Sequence, residues 1–254
     1  MTLILVAIAI AVVTFGSGIM ALFVQQRLPD AHKSDSSSKL ITQVSALVSL
    51  LLAMVLGTLV GTSFAFFFTQ KASLDVFAAQ ALQFDQALAQ YGPETRAARA
   101  KLKDAMVRGH DLFWGHDGID PATFTVAGPL AQEAVIDEFL ASLQPQSEAQ
   151  KQALAKANQY ASAMEQSRLL ISLQVAGQSV PWQLVAILAV WGIALFFGYG
   201  LFAALNATTI AALAFGAVSI SLAIFLIFDL RQPYTGAFRV SPAALEQTID
   251  FLNK

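Results

Sequence analysis

Two stretches hold the side chains whose types and spacing could do chemistry. In "HDLFWGHDG", His110 and His116 stand six residues apart, and Asp111 and Asp117 follow them. Imidazole and carboxylate together can ligate a metal. Groups that share one helical face are three or four residues apart, and this pair is not. The better reading is a solvated loop that ends a helix, with Trp114 packing beneath it. In "FLIFDLRQPYTGAFRVSP", an apolar run ends in Asp229, followed by Arg231, Pro233, Tyr234, Gly236, Ser241 and Pro242. An ionisable group at the rim of such a run usually faces protein or water and has a partner. Arg231 is two residues on and off the same face, so Lys71, Arg168 or Arg239 is the expected partner. Two roles are open for Asp229: a structural anchor that reaches water and ends the helix, or a pore or binding residue.

The remaining motifs are sparse. There is no glycine-rich phosphate loop, no nucleophile elbow and no zinc-protease helix. No nucleophile, base and orienting group converge, so an enzyme is not expected, nor a cofactor or resident metal. Arg96, Arg99, Lys101, Lys103 and Arg108 lack interleaved aromatics on one face. They read as a solvated helix face, and nucleic acid is not expected as a partner.

The elements that must position these residues are set by hydropathy. Charged residues make up 13% of the chain against 56% hydrophobic, where a soluble domain carries about a quarter charged. Residues 1–26, 40–70 and 169–228 contain no Asp, Glu, Lys or Arg. A membrane-spanning helix needs about 20 mostly apolar residues. Four spans follow, near 3–24, 40–68, 181–204 and 208–230. Pro181 suits a first helical turn. Asn206-Ala207-Thr208-Thr209 splits the last block into a tight antiparallel hairpin. Met1-Thr2 offers no basic side chain ahead of the first apolar run, and "VQQRLPD" is no cleavage site, so that run reads as a retained anchor. Gly57, Gly61 and Ala65 form a small-xxx-small pattern on the second span, which lets helices approach closely within or between subunits. Gly192 and Gly200 flank Phe196 on the third.

Residues 71–179 read as a soluble helical bundle. Leu74, Phe77, Ala81, Phe84, Leu88 and Tyr91 alternate by three and four, as in a coiled coil. Gly92-Pro93 stops that helix. A second helix over 94–113 carries Ala98, Leu102, Met106 and Phe113, and a short one over 129–143 carries Leu130, Ala134, Phe139 and Leu143. "SEAQ" at 147–150 matches a capping box. It opens a long helix whose stripe runs through Leu154, Ala157, Ala161, Met164, Ile171 and Val175, with Arg168 interrupting. Helices 71–91 and 147–178 are expected to pair antiparallel. After the turn over 231–240, Ser241-Pro242 signals a final amphipathic helix with Leu245, Ile249 and Leu252 on one face. It should lie on the membrane surface or dock on the bundle. The expected organisation is therefore a first transmembrane hairpin over 1–70, the bundle over 71–179, a second hairpin over 180–230, and the turn and helix over 231–254.

Arg27, Lys33 and Lys39 follow the first span. Basic residues favour the cytoplasmic side, so both termini and the bundle are expected outside, in a bacterial inner membrane. Lys71, Arg168, Arg231 and Arg239 flank the spans on the other side and oppose this count. The absence of Cys reports nothing on redox compartment.

The order of these parts resembles a family of bacterial membrane proteins called bestrophin-like. Its closing signature reads like Leu-Asp-Leu-Asp-Arg-Pro-Phe-Ser-Gly, then Val-Ser-Pro. Here Asp229-Leu230-Arg231-Gln232-Pro233-Tyr234-Thr235-Gly236 and Val240-Ser241-Pro242 occupy those places, and Arg27-Leu28-Pro29 after the first span also fits. Two departures stand out. The basic residue is displaced by one, to Arg231, and no His-Asn-Asp run follows Pro29. The resemblance implies an all-α membrane protein with four spans and a helical insert. It implies little about function, since the family has no established activity and its tie to the pentameric anion channels named bestrophins is one of name. Three functions are carried forward: an oligomeric ion-conducting protein, a scaffold or accessory subunit that binds another membrane protein, and a sensor with an external helical bundle. All three have the lipid bilayer as partner.

Overall fold

The computed structural model describes residues 2–27, 29, 35–115, 136–176 and 182–253. Among them every regular element is helical. The order is α1 (Thr2–Arg27), α2 (Asp35–Tyr91), a 3₁₀ turn (Pro93–Thr95), α3 (Arg96–Trp114), a helical segment over 136–142, α4 (Glu148–Ala176), α5 (Trp182–Leu201), α6 (Ala207–Leu230) and α7 (Ala243–Leu252). The chain is an all-α membrane protein: α1, α2, α5 and α6 are each long and apolar enough to cross a bilayer. The second span and the first bundle helix are one element, because α2 continues unbroken for 57 residues. No Gly or Pro stands between Gly61 and Gly92 to interrupt it.

The chain divides into two compact units. The first, Met1–Phe66 with Val180–Arg231, holds α1, the first half of α2, α5 and α6. The two helices of the α5–α6 hairpin meet α1 more than they meet each other. Glycine makes this possible at Gly200, where a side chain would run into the Gly18 carbonyl of α1. Such small-residue contacts suit helices in lipid, where close packing rather than the hydrophobic effect drives association. Hydroxyls reinforce it. Ser17 Oγ donates to the Ile193 carbonyl at 3.2 Å, and Ser221 Oγ donates to the Ala7 carbonyl at 2.5 Å. The polar break at residue 206 is a helix cap: Asn206 Oδ1 accepts the Thr209 N–H at 2.7 Å, satisfying a donor that the first turn of α6 leaves open. The core of this unit is apolar and includes Leu22, Leu52, Leu188, Phe196 and Ile224.

The second unit is Phe67–Ser179 with Gln232–Lys254. Its core joins Ala81, Phe84 and Leu88 of α2 to Leu102 and Met106 of α3, Ala157, Ala161 and Met164 of α4, and Leu245 of α7. These are the apolar stripes read from the sequence. Three polar rungs fix α2 and α4 antiparallel. Gln150 Nε2 donates to the Tyr91 carbonyl at 3.1 Å, Ser167 Oγ donates to Gln80 Oε1 at 2.8 Å, and Gln70 Nε2 donates to Gln174 Oε1 at 2.5 Å. α2 ends at Gly92, whose φ of 139° only glycine adopts readily. Thr95 Oγ1 then donates back to the Leu88 carbonyl at 2.6 Å, closing the turn into α3. The capping box at the start of α4 is shifted by one. Ser147 Oγ accepts the Gln150 N–H, as expected, but Gln150 Oε1 accepts from Gln146 N–H instead of Ser147. The final helix docks on the bundle rather than lying free, with Leu245 buried and Ile249 and Leu252 packed against the same core. Its start lies one residue late: Pro242 is the cap, and Ser241 Oγ accepts the Ala243 N–H at 3.3 Å. Leu130 and Ala134 of the short helix expected over 129–143 lie outside the described residues.

Candidate functional site

The closing signature is divided between the two units. Asp229 ends α6 in the first unit with 2% of its surface exposed. In the same unit, Arg231 caps α6, and its Nε donates to Ser63 Oγ of α2 at 3.3 Å. Ser63 is fully buried. The acid is thus a buried group and not one that reaches water at the rim. Of the basic residues expected near it, Lys71 pairs with Asp75 at 2.7 Å, and Arg239 Nε donates to the Gly236 carbonyl at 3.1 Å. Arg168 is half-buried, and burial holds its guanidinium below the ordinary value, with nearby Glu165 partly opposing that.

The rest of the signature builds a rigid turn in the second unit. Thr235 and Gly236 N–H both donate to the Gln232 carbonyl, and Val240 N–H donates to the Pro233 carbonyl at 2.8 Å. Pro233, Tyr234 and Gly236 are buried. Tyr234 is the centre of the turn. Its hydroxyl donates to Gln70 Oε1 at 3.2 Å, and Gln70 in turn bonds Gln174. Its ring lies 4.7 Å from Phe113 and 5.9 Å, edge-on, from Trp114. Burial pushes the Tyr234 hydroxyl well above its ordinary value. Trp114 thus packs on this turn, and its Nε1–H donates to the Val240 carbonyl at 2.9 Å; the loop expected above it lies outside the described residues.

His110 stacks on Trp114 and stands 3.2 Å from Asp111 Oδ1 and 3.4 Å from Glu246 Oε1. His116 and Asp117 lie outside the described residues. Among the described residues, no group of three His, Cys, Asp or Glu could hold a metal.

The basic group on α3 is not wholly solvated. Arg99 makes a two-pronged pair with Asp85 of α2, at 2.7 and 2.8 Å, and Asp85 is buried. This geometry is among the stronger charged contacts, and the hydrogen bond to Asp85 raises the Arg99 value. The pair escaped the sequence reading, although one signal was present: Asp85 sits four residues after Ala81 and three before Leu88, in phase with the buried stripe. The two glutamines were missed as well, and nothing in their spacing sets them apart.

The small-residue stripe looks outward. Gly57, Gly61 and Ala65 are exposed in the single chain, and a side chain added at Gly57 or Gly61 would meet nothing within 4 Å. Thr58 and Thr62 share this exposure and return their hydroxyls to the carbonyls of Met54 and Leu59. Among the described residues of the spans, the glycines that pack within the chain are Gly18, Gly192, Gly198, Gly200 and Gly216.

As chemistry, the closing signature ties helices together: it buries Asp229 and Tyr234, and it packs the tyrosine ring on Phe113 and Trp114. Comparison with known proteins adds one finding. The family model described as "Bestrophin-like domain" matches residues 10–245. No curated protein and no solved structure matches the chain.

Proposed function

The chain belongs to the bestrophin-like family, and on that premise we propose that it is a non-enzymatic ion-conducting membrane protein that works as an assembly of several copies. The observation that carries this reading is the exposed face of α2, where Gly57, Thr58, Gly61, Thr62 and Ala65 sit together within an apolar span. Small residues let a second backbone approach closely, and hydroxyls can line a wet path. A path through one copy has no such support. The core between α1, α2, α5 and α6 is filled by apolar side chains such as Leu22, Leu52, Leu188 and Phe196. A pore therefore belongs between copies, with α2 at the boundary. In this reading Asp229 has a structural role, because it is buried. The protein resides in a bacterial cytoplasmic membrane, with Arg27, Lys33 and Lys39 on the cytoplasmic side, in line with the positive-inside tendency.

The test is ion flux into liposomes together with native mass in gentle detergent. The wild type should purify as a homo-oligomer and carry flux, and Gly61→Leu should lose both. A homo-oligomer without flux would favour a scaffold. A single copy that co-purifies with a different membrane protein would favour the accessory-subunit reading.

A further inference from the structure

One end of the second unit gathers three chain segments that are separate in sequence. Gln70 of α2 bonds Gln174 of α4 and accepts from Tyr234 of the closing turn. These bonds hold the three segments at one level. Each segment carries the same pair of features beside its tie. On α2, exposed Phe68 is followed by Lys71. On α4, half-buried Arg168 is followed by exposed Leu170 and Leu173. On the turn, exposed Phe238 is followed by Arg239. Single exposed apolar residues are ordinary. Here four of them recur on three tied segments, each with a basic residue close by in the chain. The acids nearby are Asp75, which pairs with Lys71, and Glu165, close to Arg168.

The two helical segments also adjoin uncharged apolar stretches. Residues 40–70 lead into Lys71, and residues 169–176 of α4 carry no charge. Apolar residues beside Lys or Arg at such a boundary are the pattern of a membrane interface, where apolar groups enter the acyl boundary and long basic side chains extend to the headgroups. We propose that this end of the second unit is a lipid-binding collar, with Phe68, Leu170, Leu173 and Phe238 in the acyl boundary and Lys71, Arg168 and Arg239 on phospholipid phosphates, favouring anionic lipids. Such a collar would serve one copy or many, conducting or not.

The absence of Cys permits single spin labels on the full chain. Leu173→Cys and Phe238→Cys are exposed positions in the collar. Glu148→Cys is exposed and lies 25 residues before Leu173 on the same helix. In vesicles of phosphatidylcholine with some phosphatidylglycerol, labels at 173 and 238 should meet dissolved oxygen more than a water-soluble nickel complex. The label at 148 should show the reverse. Labels at 173 and 238 that behave like the one at 148 would overturn the proposal.

The headgroup preference is tested with Arg168→Gln/Arg239→Gln, by the ratio of phosphatidylglycerol to phosphatidylcholine retained in native mass spectra. Each basic residue removed should lower that ratio roughly fivefold. An unchanged ratio in a folded double variant would refute phosphate contact. Excess inorganic phosphate should leave the ratio unchanged. Phosphate that strips the anionic lipid to the level of the double variant would assign these residues to a soluble anion and overturn the lipid assignment.

Discussion

Replacing Arg99 with Met removes one side of the Asp85 pair and leaves the other stranded. The two sides are not equivalent. The Asp85 side chain is 3% exposed, and that of Arg99 is 36% exposed. Breaking a buried pair by removing one partner costs about 3–5 kcal/mol, because an uncompensated charge stays behind. In Arg99→Met the stranded group is the buried carboxylate. Water can enter where the guanidinium stood, so the low end applies, about 3 kcal/mol. In Asp85→Leu the stranded group is the arginine, which can swing into solvent, so the cost is nearer 1 kcal/mol. The double variant should resemble Asp85→Leu alone, because no charge remains buried in either. Thermal and denaturant unfolding of the full-length protein in detergent, followed by circular dichroism, measures all three. Equal losses in the two single variants, to within about 0.5 kcal/mol, would refute the assignment of Asp85 as a buried acid held by Arg99.

The other expectations are as distinct. Tyr234 keeps its proton when folded at a pH where the unfolded chain gives it up. Stability present below pH 10.0, its ordinary value, should therefore fall above it by about 1.4 kcal/mol per pH unit. Tyr234→Phe should abolish that alkaline slope and cost about 1 kcal/mol at neutral pH, by removing the donor to Gln70; an unchanged slope would show that another group titrates. Gly200→Val should destabilise by about 1–3 kcal/mol, because the added carbon meets the Gly18 backbone, which cannot move aside as a flexible side chain would; a neutral effect in a thermal melt would contradict the close approach of α1 and α5. Ala81→Cys/Met164→Cys should form a disulfide on oxidation in the membrane, and failure there and one turn either way would dissolve the α2–α4 pairing.

The bundle was legible because its helices repeat Leu, Ala and Phe at three-four spacing, and burial follows spacing directly. The spans were legible for a simpler reason: long charge-free runs have few other ways to be stable. What escaped were contacts whose partners are distant in the chain. Asp85 and Arg99 meet only because Gly92 and Thr95 turn α2 back onto α3. Gln70 and Gln174 meet only because the two long helices run antiparallel in one register. Asp229 shows a different limit. Its type and position marked it as a group in need of a partner, but the level at which it is buried depends on how the neighbouring helices close over it. The small-residue patterns were equally ambiguous. Gly200 proved to be a contact within the chain, and Gly57 and Gly61 face outward, a distinction that spacing on one helix cannot carry.

The claim that copies meet through α2 is tested most directly by one cysteine. Gly61→Cys places a single thiol on the exposed stripe of a chain that otherwise has none. Phe215→Cys places one on α6 at a residue that is 78% exposed. Both are oxidised in native membranes and run on a denaturing gel without reductant. Assembly through α2 predicts a covalent dimer band from Gly61→Cys and little or none from Phe215→Cys. A monomer band from Gly61→Cys, with Phe215→Cys cross-linking freely, would contradict it.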